Sequence, residues 1–116
     1  MLPSASRLKR RSDFGRVYGK GRSYATDLIV VYVLPARGKL TRIGFSVSKK
    51  LGKSVERNRV KRLLREAARA LLPDLEPGCD VVVVARRKAA GATFAALVSA
   101  MRELFRGSGI LRAREQ

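Results

Sequence analysis

Residues 49–69 read KKLGKSVERNRVKRLLREAAR. On a helical wheel at about 100° per residue, Val60, Leu63, Leu64, Ala67 and Leu71 fall on one arc. Asn58, Lys61, Arg62, Arg65 and Arg69 fall on the opposite arc, with Arg59 at its border and Arg57 flanking the first turn. The spacing predicts a helix over about Val55–Leu72, opened by Ser54. Glu56 in its first turn suits the helix dipole, and Pro73 follows its end. One face is built to pack on a core and the other is a cationic strip.

The stretch contains Lys49, Lys50, Lys53, Arg57, Arg59, Lys61, Arg62, Arg65 and Arg69 against only Glu56 and Glu66. An ordinary solvated face interleaves acids with bases, whereas Lys61, Arg65 and Arg69 repeat like charge at i, i+4. A polyanion offsets that repulsion. Arginine outnumbers lysine in the strip, and its planar fork suits phosphates and stacking on bases. Asn58 among the arginines can bond a base edge or a sugar hydroxyl. A membrane-surface helix would need a free apolar face, and this one is committed to a core.

Upstream of the helix, Leu28–Leu34 (LIVVYVL) is β-branched and aromatic and reads as a strand that Pro35 ends. Pro35–Lys39 (PARGK) reads as a turn and Arg42–Ser48 (RIGFSVS) as a second strand, with Ile43, Phe45 and Val47 toward one face. These two are expected to pair as an antiparallel hairpin. Residues 21–24 can add an edge strand. Downstream, Cys79–Arg86 (CDVVVVAR) is a continuous apolar run, expected to be buried on both faces or on one face plus an edge.

Ser12 is expected to cap a short helix over Asp13–Tyr18, with Phe14, Val17 and Tyr18 on one face. Thr93 is expected to cap a last helix in which Phe94, Leu97, Val98, Met101, Leu104 and Phe105 form a core face. Residues 1–11 read as a flexible basic arm, 12–109 as one domain and 110–116 as a frayed tail. The order is helix, strands, long helix, strand, helix. The fold class is α+β: a mixed four-stranded sheet with three helices, in αβββαβα order.

Across 116 residues, 26 Lys and Arg face 9 Asp and Glu, a formal charge of +17. That length holds one core and leaves no room for a separate catalytic domain. The lone Cys79 permits no internal disulfide, which makes a reducing cytoplasm the expected location. There is no histidine, so a protein-borne zinc site is not expected. No apolar run approaches the ~20 residues of a membrane span.

Glu56–Arg62 (ERNRVKR), preceded by Lys49–Lys50 and Gly52, resembles the signature of the bacterial ribonuclease P protein subunit. The resemblance extends over about residues 7–106 through Asp13–Phe14, Val17–Tyr18, Gly21, Tyr32, Gly44, Asp80 and Ala85–Arg86. It implies a left-handed strand–helix–strand crossover, which pattern alone would not predict. It also implies a cofactor protein to a catalytic RNA, which removes the 5′ leader of precursor tRNA with Mg2+ held mainly by the RNA.

By the same resemblance Lys49, Lys50, Lys53, Arg57, Asn58, Arg59, Lys61, Arg62 and Arg65 contact the catalytic RNA. Phe14, Tyr18 and Tyr32 contact the leader, although by residue type alone these three suit core packing. The partners implied are the catalytic RNA and precursor tRNA, with no membrane and no obligate protein partner. The competing reading is a structural RNA-binding protein of ribosomal type. A protein-only nuclease would need clustered acids, and the acids here are scattered. The long helix does not match a helix-turn-helix for DNA.

Overall fold

A computed structural model describes residues 4–36, 38 and 40–112. Its sheet consists of β1 (Arg22–Ala25), β2 (Ile29–Pro35), β3 (Arg42–Ser46) and β4 (Cys79–Ala85) in the order β1-β2-β4-β3. The expected β2–β3 hairpin does not form. β4 lies between them, antiparallel to β2 and parallel to β3. The physical reason is burial: Val81, Val82 and Val83 are fully buried, and only a central strand covers both faces of such a run. Two residues of the expected Pro35–Lys39 turn, Arg37 and Lys39, lie outside the described residues.

Side-chain alternation divides the sheet into two faces. Ile29, Val31, Val33, Ile43, Val81, Val83 and Ala85 join the main core. There they meet Val60, Leu64, Ala67, Ala68 and Leu71 of α2 (Ser54–Leu71) and Leu97, Met101, Leu104 and Phe105 of α3 (Phe94–Gly107). The opposite face carries α1 (Arg11–Lys20). Its Val17 packs with Leu8 and Val82, flanked by Phe14, Tyr32, Leu34 and Val84. The parallel neighbours β3 and β4 are joined through α2, so the cationic helix is the crossover of this fold.

Thr93 caps α3 as expected, accepting a hydrogen bond from the Ala96 N–H at 3.1 Å. Phe94 does not join the core face and is 43% exposed, because the first residue of α3 overhangs the packed surface. Ser12 is not a cap either. α1 starts a residue earlier, with Arg10 at the N-cap position and no side-chain bond. Ser54 likewise sits inside α2, behind Lys53 at the N-cap.

Both ends are more tightly held than an arm and a frayed tail. Residues 4–6 form a 3-10 turn, Arg7 bridges Ile43 at the edge of β3, and Leu8 is buried. At the other end Ile110 is buried and accepts from the Glu76 N–H at 2.6 Å, while Arg112 N–H donates to Asp74 O at 2.7 Å. Apolar side chains at 8 and 110 supply the reason, since burying each is worth about 1.5–3 kcal/mol. The outer parts of the expected arm and tail, residues 1–3 and 113–116, lie outside the described residues.

Candidate nucleic-acid interface

The approach to α2 is shaped before the helix begins. Ser48 accepts a hydrogen bond from Lys50 N–H at 3.1 Å and caps a 3-10 turn, Lys49–Leu51, whose buried Leu51 anchors it. Lys49 and Lys50 are left exposed. Gly52 follows at φ 151° and ψ −163°, a conformation open to glycine alone. The carboxylate of Glu56 folds against the Gly52 Cα, in the space a Cβ would need.

On α2 the expected RNA contacts separate into two columns. Arg57, Lys61 and Arg65, at i, i+4 and i+8, are half-buried, whereas Asn58 and Arg62 are exposed. Among the described residues, none of Lys49, Lys50, Lys53, Arg57, Arg59, Lys61, Arg62 and Arg65 is ion-paired with an acid. Arg69, by contrast, pairs with Glu66 at 3.4 Å. Arg59 is partly committed to the protein, since its guanidinium donates to the backbone oxygens of Ala90 at 3.3 Å and Ala92 at 3.2 Å. Two of its five donors are used, and the residue remains exposed.

Phe14, Tyr18 and Tyr32 come together as an aromatic row on the other face of the sheet. Phe14 and Tyr18 lie 6.4 Å apart between ring centroids, and Tyr18 meets Tyr32 edge to face at 5.0 Å. Phe14 and Tyr32 are half-buried and pack against the small cluster of Leu8, Val17 and Val82. Tyr18 is 40% exposed. The ring of Phe14 rests on the bare Cα of Gly44, where any Cβ would collide with it.

A cleft connects the row to the helix. It is lined by Phe14, Gly44 and Phe45, by Lys61 and Arg65, and by Arg7 and Lys9. The two surfaces read separately in the sequence are therefore neighbours. Arg7, Lys9 and Phe45 were not among the expected site residues. The only sequence signal for Arg7 and Lys9 was their charge in a basic segment.

The other feature not foreseen is a charge network beneath α1. Asp80 is fully buried and accepts from Arg42 Nε at 2.9 Å, Arg42 Nη2 at 2.8 Å and Arg16 Nη2 at 2.6 Å. Asp13 completes it, 3.4 Å from Arg16 and 3.7 Å from Arg42. The hydrogen bonds to Asp80 hold the Arg42 guanidinium pKa above its ordinary value, against a smaller opposing effect of burial. The available signal was an Asp at the mouth of an all-valine strand, where a carboxylate needs a partner.

The family described as Ribonuclease P matches residues 2–108. The chain belongs to the ribonuclease P protein family. It is 43% identical to the ribonuclease P protein component of Caldanaerobacter subterraneus subsp. tengcongensis, over the whole of both chains. It is 46% identical to that of Symbiobacterium thermophilum, covering 96% of this chain and 97% of the relative. The RNase P protein of Staphylococcus aureus superposes with a TM-score of 0.86 at 33% identity, over 94% of this chain and all of that one. The Thermotoga maritima RNase P protein gives 0.78 at 30%, over 86% and 96%.

Membership supplies the role of protein subunit in ribonuclease P, the ribonucleoprotein enzyme of tRNA 5′-end processing. The alternative of a ribosomal-type structural protein falls with it. Among the described residues no helix is long and apolar enough to cross a membrane, and no cluster of metal-binding side chains occurs.

Proposed function

We propose that the outward face of α2 and the turn before it bind the catalytic RNA, while the aromatic row binds the precursor-tRNA leader. The RNA-facing set is Lys49, Lys50, Lys53, Arg57, Asn58, Arg59, Lys61, Arg62 and Arg65, with Arg59 also tying α2 to the backbone at 90–92. Phe14, Tyr18 and Tyr32 form the leader set. One observation carries this reading: Lys61 and Arg65, which pair with no acid among the described residues, share a single cleft with Phe14, the first ring of the aromatic row. Cations neutralise phosphates whatever the sequence, and aromatic rings stack on any base. That combination suits a protein that must accept leaders of varied sequence.

Phosphodiester cleavage then belongs to the RNA, and Mg2+ is held mainly by the RNA. The protein's part is to position the substrate and screen charge in the cytoplasm, with no membrane and no obligate protein partner. Residues 4–112 act as one RNA-binding unit. The test is cleavage of a precursor tRNA at low Mg2+ by protein alone, catalytic RNA alone and both together. Cleavage only with both supports the reading. Cleavage by nuclease-free protein alone overturns it.

A further inference from the structure

Arg7 is held more firmly than a residue of a basic arm needs to be. Its main chain bridges Ile43, and the next residue donates from its N–H to Ile43 O at 3.0 Å. The Leu8 side chain is buried against Val17 and Val82. The Arg7 Nε is itself buried and has no hydrogen-bond partner among the described residues.

Two neighbouring clefts share Arg7 and Lys9. One is also lined by Arg10, Asp13 and Arg42, the other by Phe14, Lys61 and Arg65. The acid in the first cleft, Asp13, is engaged by Arg16 and Arg42, and no acid lines the second.

We infer that Arg7 is the centre of a phosphodiester-binding site spanning these two clefts, so that the N-terminal segment and α2 hold the same RNA backbone. The inference rests on the reading of α2 as the RNA-binding face. In the free protein the Nε–H is covered and has no acceptor among the described residues. When an RNA phosphate draws the guanidinium outward, that donor gains an acceptor, and the planar fork takes the phosphate through two parallel bonds. Lys61 and Arg65 supply charge on one side and Arg10 on the other.

The probe is inorganic phosphate, titrated against chloride at matched ionic strength. The Arg7 Nε–H resonance of the full chain, assigned by its absence from Arg7→Lys, is followed by NMR. It is expected to move saturably. Arg7→Met keeps the apolar stem and lowers affinity for the catalytic RNA about ten-fold. It also reduces the slope of log affinity against log salt by about one. Arg7→Lys keeps the salt slope and recovers part of the affinity.

A resonance unmoved by phosphate overturns the site. So does an unchanged RNA affinity in Arg7→Met while Arg62→Ala still weakens binding. If neither variant weakens binding, the reading of α2 falls, and the site with it. The wild-type titration decides even if Arg7→Met folds poorly.

Discussion

The guanidinium of Arg16 reaches from α1 to the buried carboxylate of Asp80 on β4, at 2.6 Å. Arg16 sits between Phe14 and Tyr18 in the sequence of α1, so this contact ties the helix that carries both rings to β4. Arg42 reaches Asp80 from β3. A helix and two strands thus share one charge.

Asp80→Asn should destabilise the fold by about 2–3 kcal/mol. Removing one partner of a buried pair costs about 3–5 kcal/mol, reduced here because the arginine side chains are 40% and 37% exposed. Arg16→Ala should cost less, about 1 kcal/mol. Urea unfolding of the two variants measures both. Equal, negligible losses would remove the network from the account.

Gly44→Ala should displace the Phe14 ring, since the added Cβ meets that ring directly. Leader binding should weaken by about 1–3 kcal/mol, one stacking contact, while affinity for the catalytic RNA stays unchanged. Fluorescence titrations with leader-bearing and leaderless tRNA in the reconstituted enzyme would show the difference.

Arg62 and Arg59 should separate in behaviour although they are three residues apart. Arg62 is exposed and makes no ion pair, so Arg62→Ala should leave stability within about 0.5 kcal/mol. Its loss should reduce the salt dependence of RNA binding by about one phosphate contact. Arg59→Ala should lower stability by about 1 kcal/mol as well, because it also loses the bonds to Ala90 and Ala92. Thermal melts beside RNA titrations test both.

Burial pushes the Cys79 thiol pKa up, and the nearby charges of Asp80 and Glu76 add to it. The folded state therefore holds the proton more tightly than the unfolded chain. That stability is whole below the ordinary thiol pKa and is lost as pH rises through the raised folded value. At mildly alkaline pH, iodoacetamide should alkylate the native protein more slowly than the urea-unfolded one. Equal rates would contradict this.

What the sequence made legible was local. The apolar and cationic faces of α2, the Thr93 cap and the burial of Val81–Val83 all follow from spacing within a few residues. The partner of β2 was misread because hairpin reasoning favours the next strand along the chain, and β4 arrives only after α2. The Asp80 network was invisible for a similar reason: Arg42 and Arg16 come from 38 and 64 residues away. Ser12 and Ser54 have good capping chemistry, yet both lie within their helices, behind N-caps at Arg10 and Lys53. The cleft that joins the leader row to α2 is set by tertiary packing of Leu8 and Gly44, which no periodicity reports.

The central claim is that two faces of one small domain hold two different RNAs. Arg62→Ala and Tyr18→Ala, each titrated against the catalytic RNA and, once reconstituted with it, against precursor tRNA with and without a leader, test it most directly. Arg62→Ala should weaken catalytic-RNA binding and leave the preference for leader-bearing tRNA intact. Tyr18→Ala should do the reverse, reducing that preference by about ten-fold, one stacking contact. If both variants weaken both interactions equally, the two faces are not separate and the account is wrong.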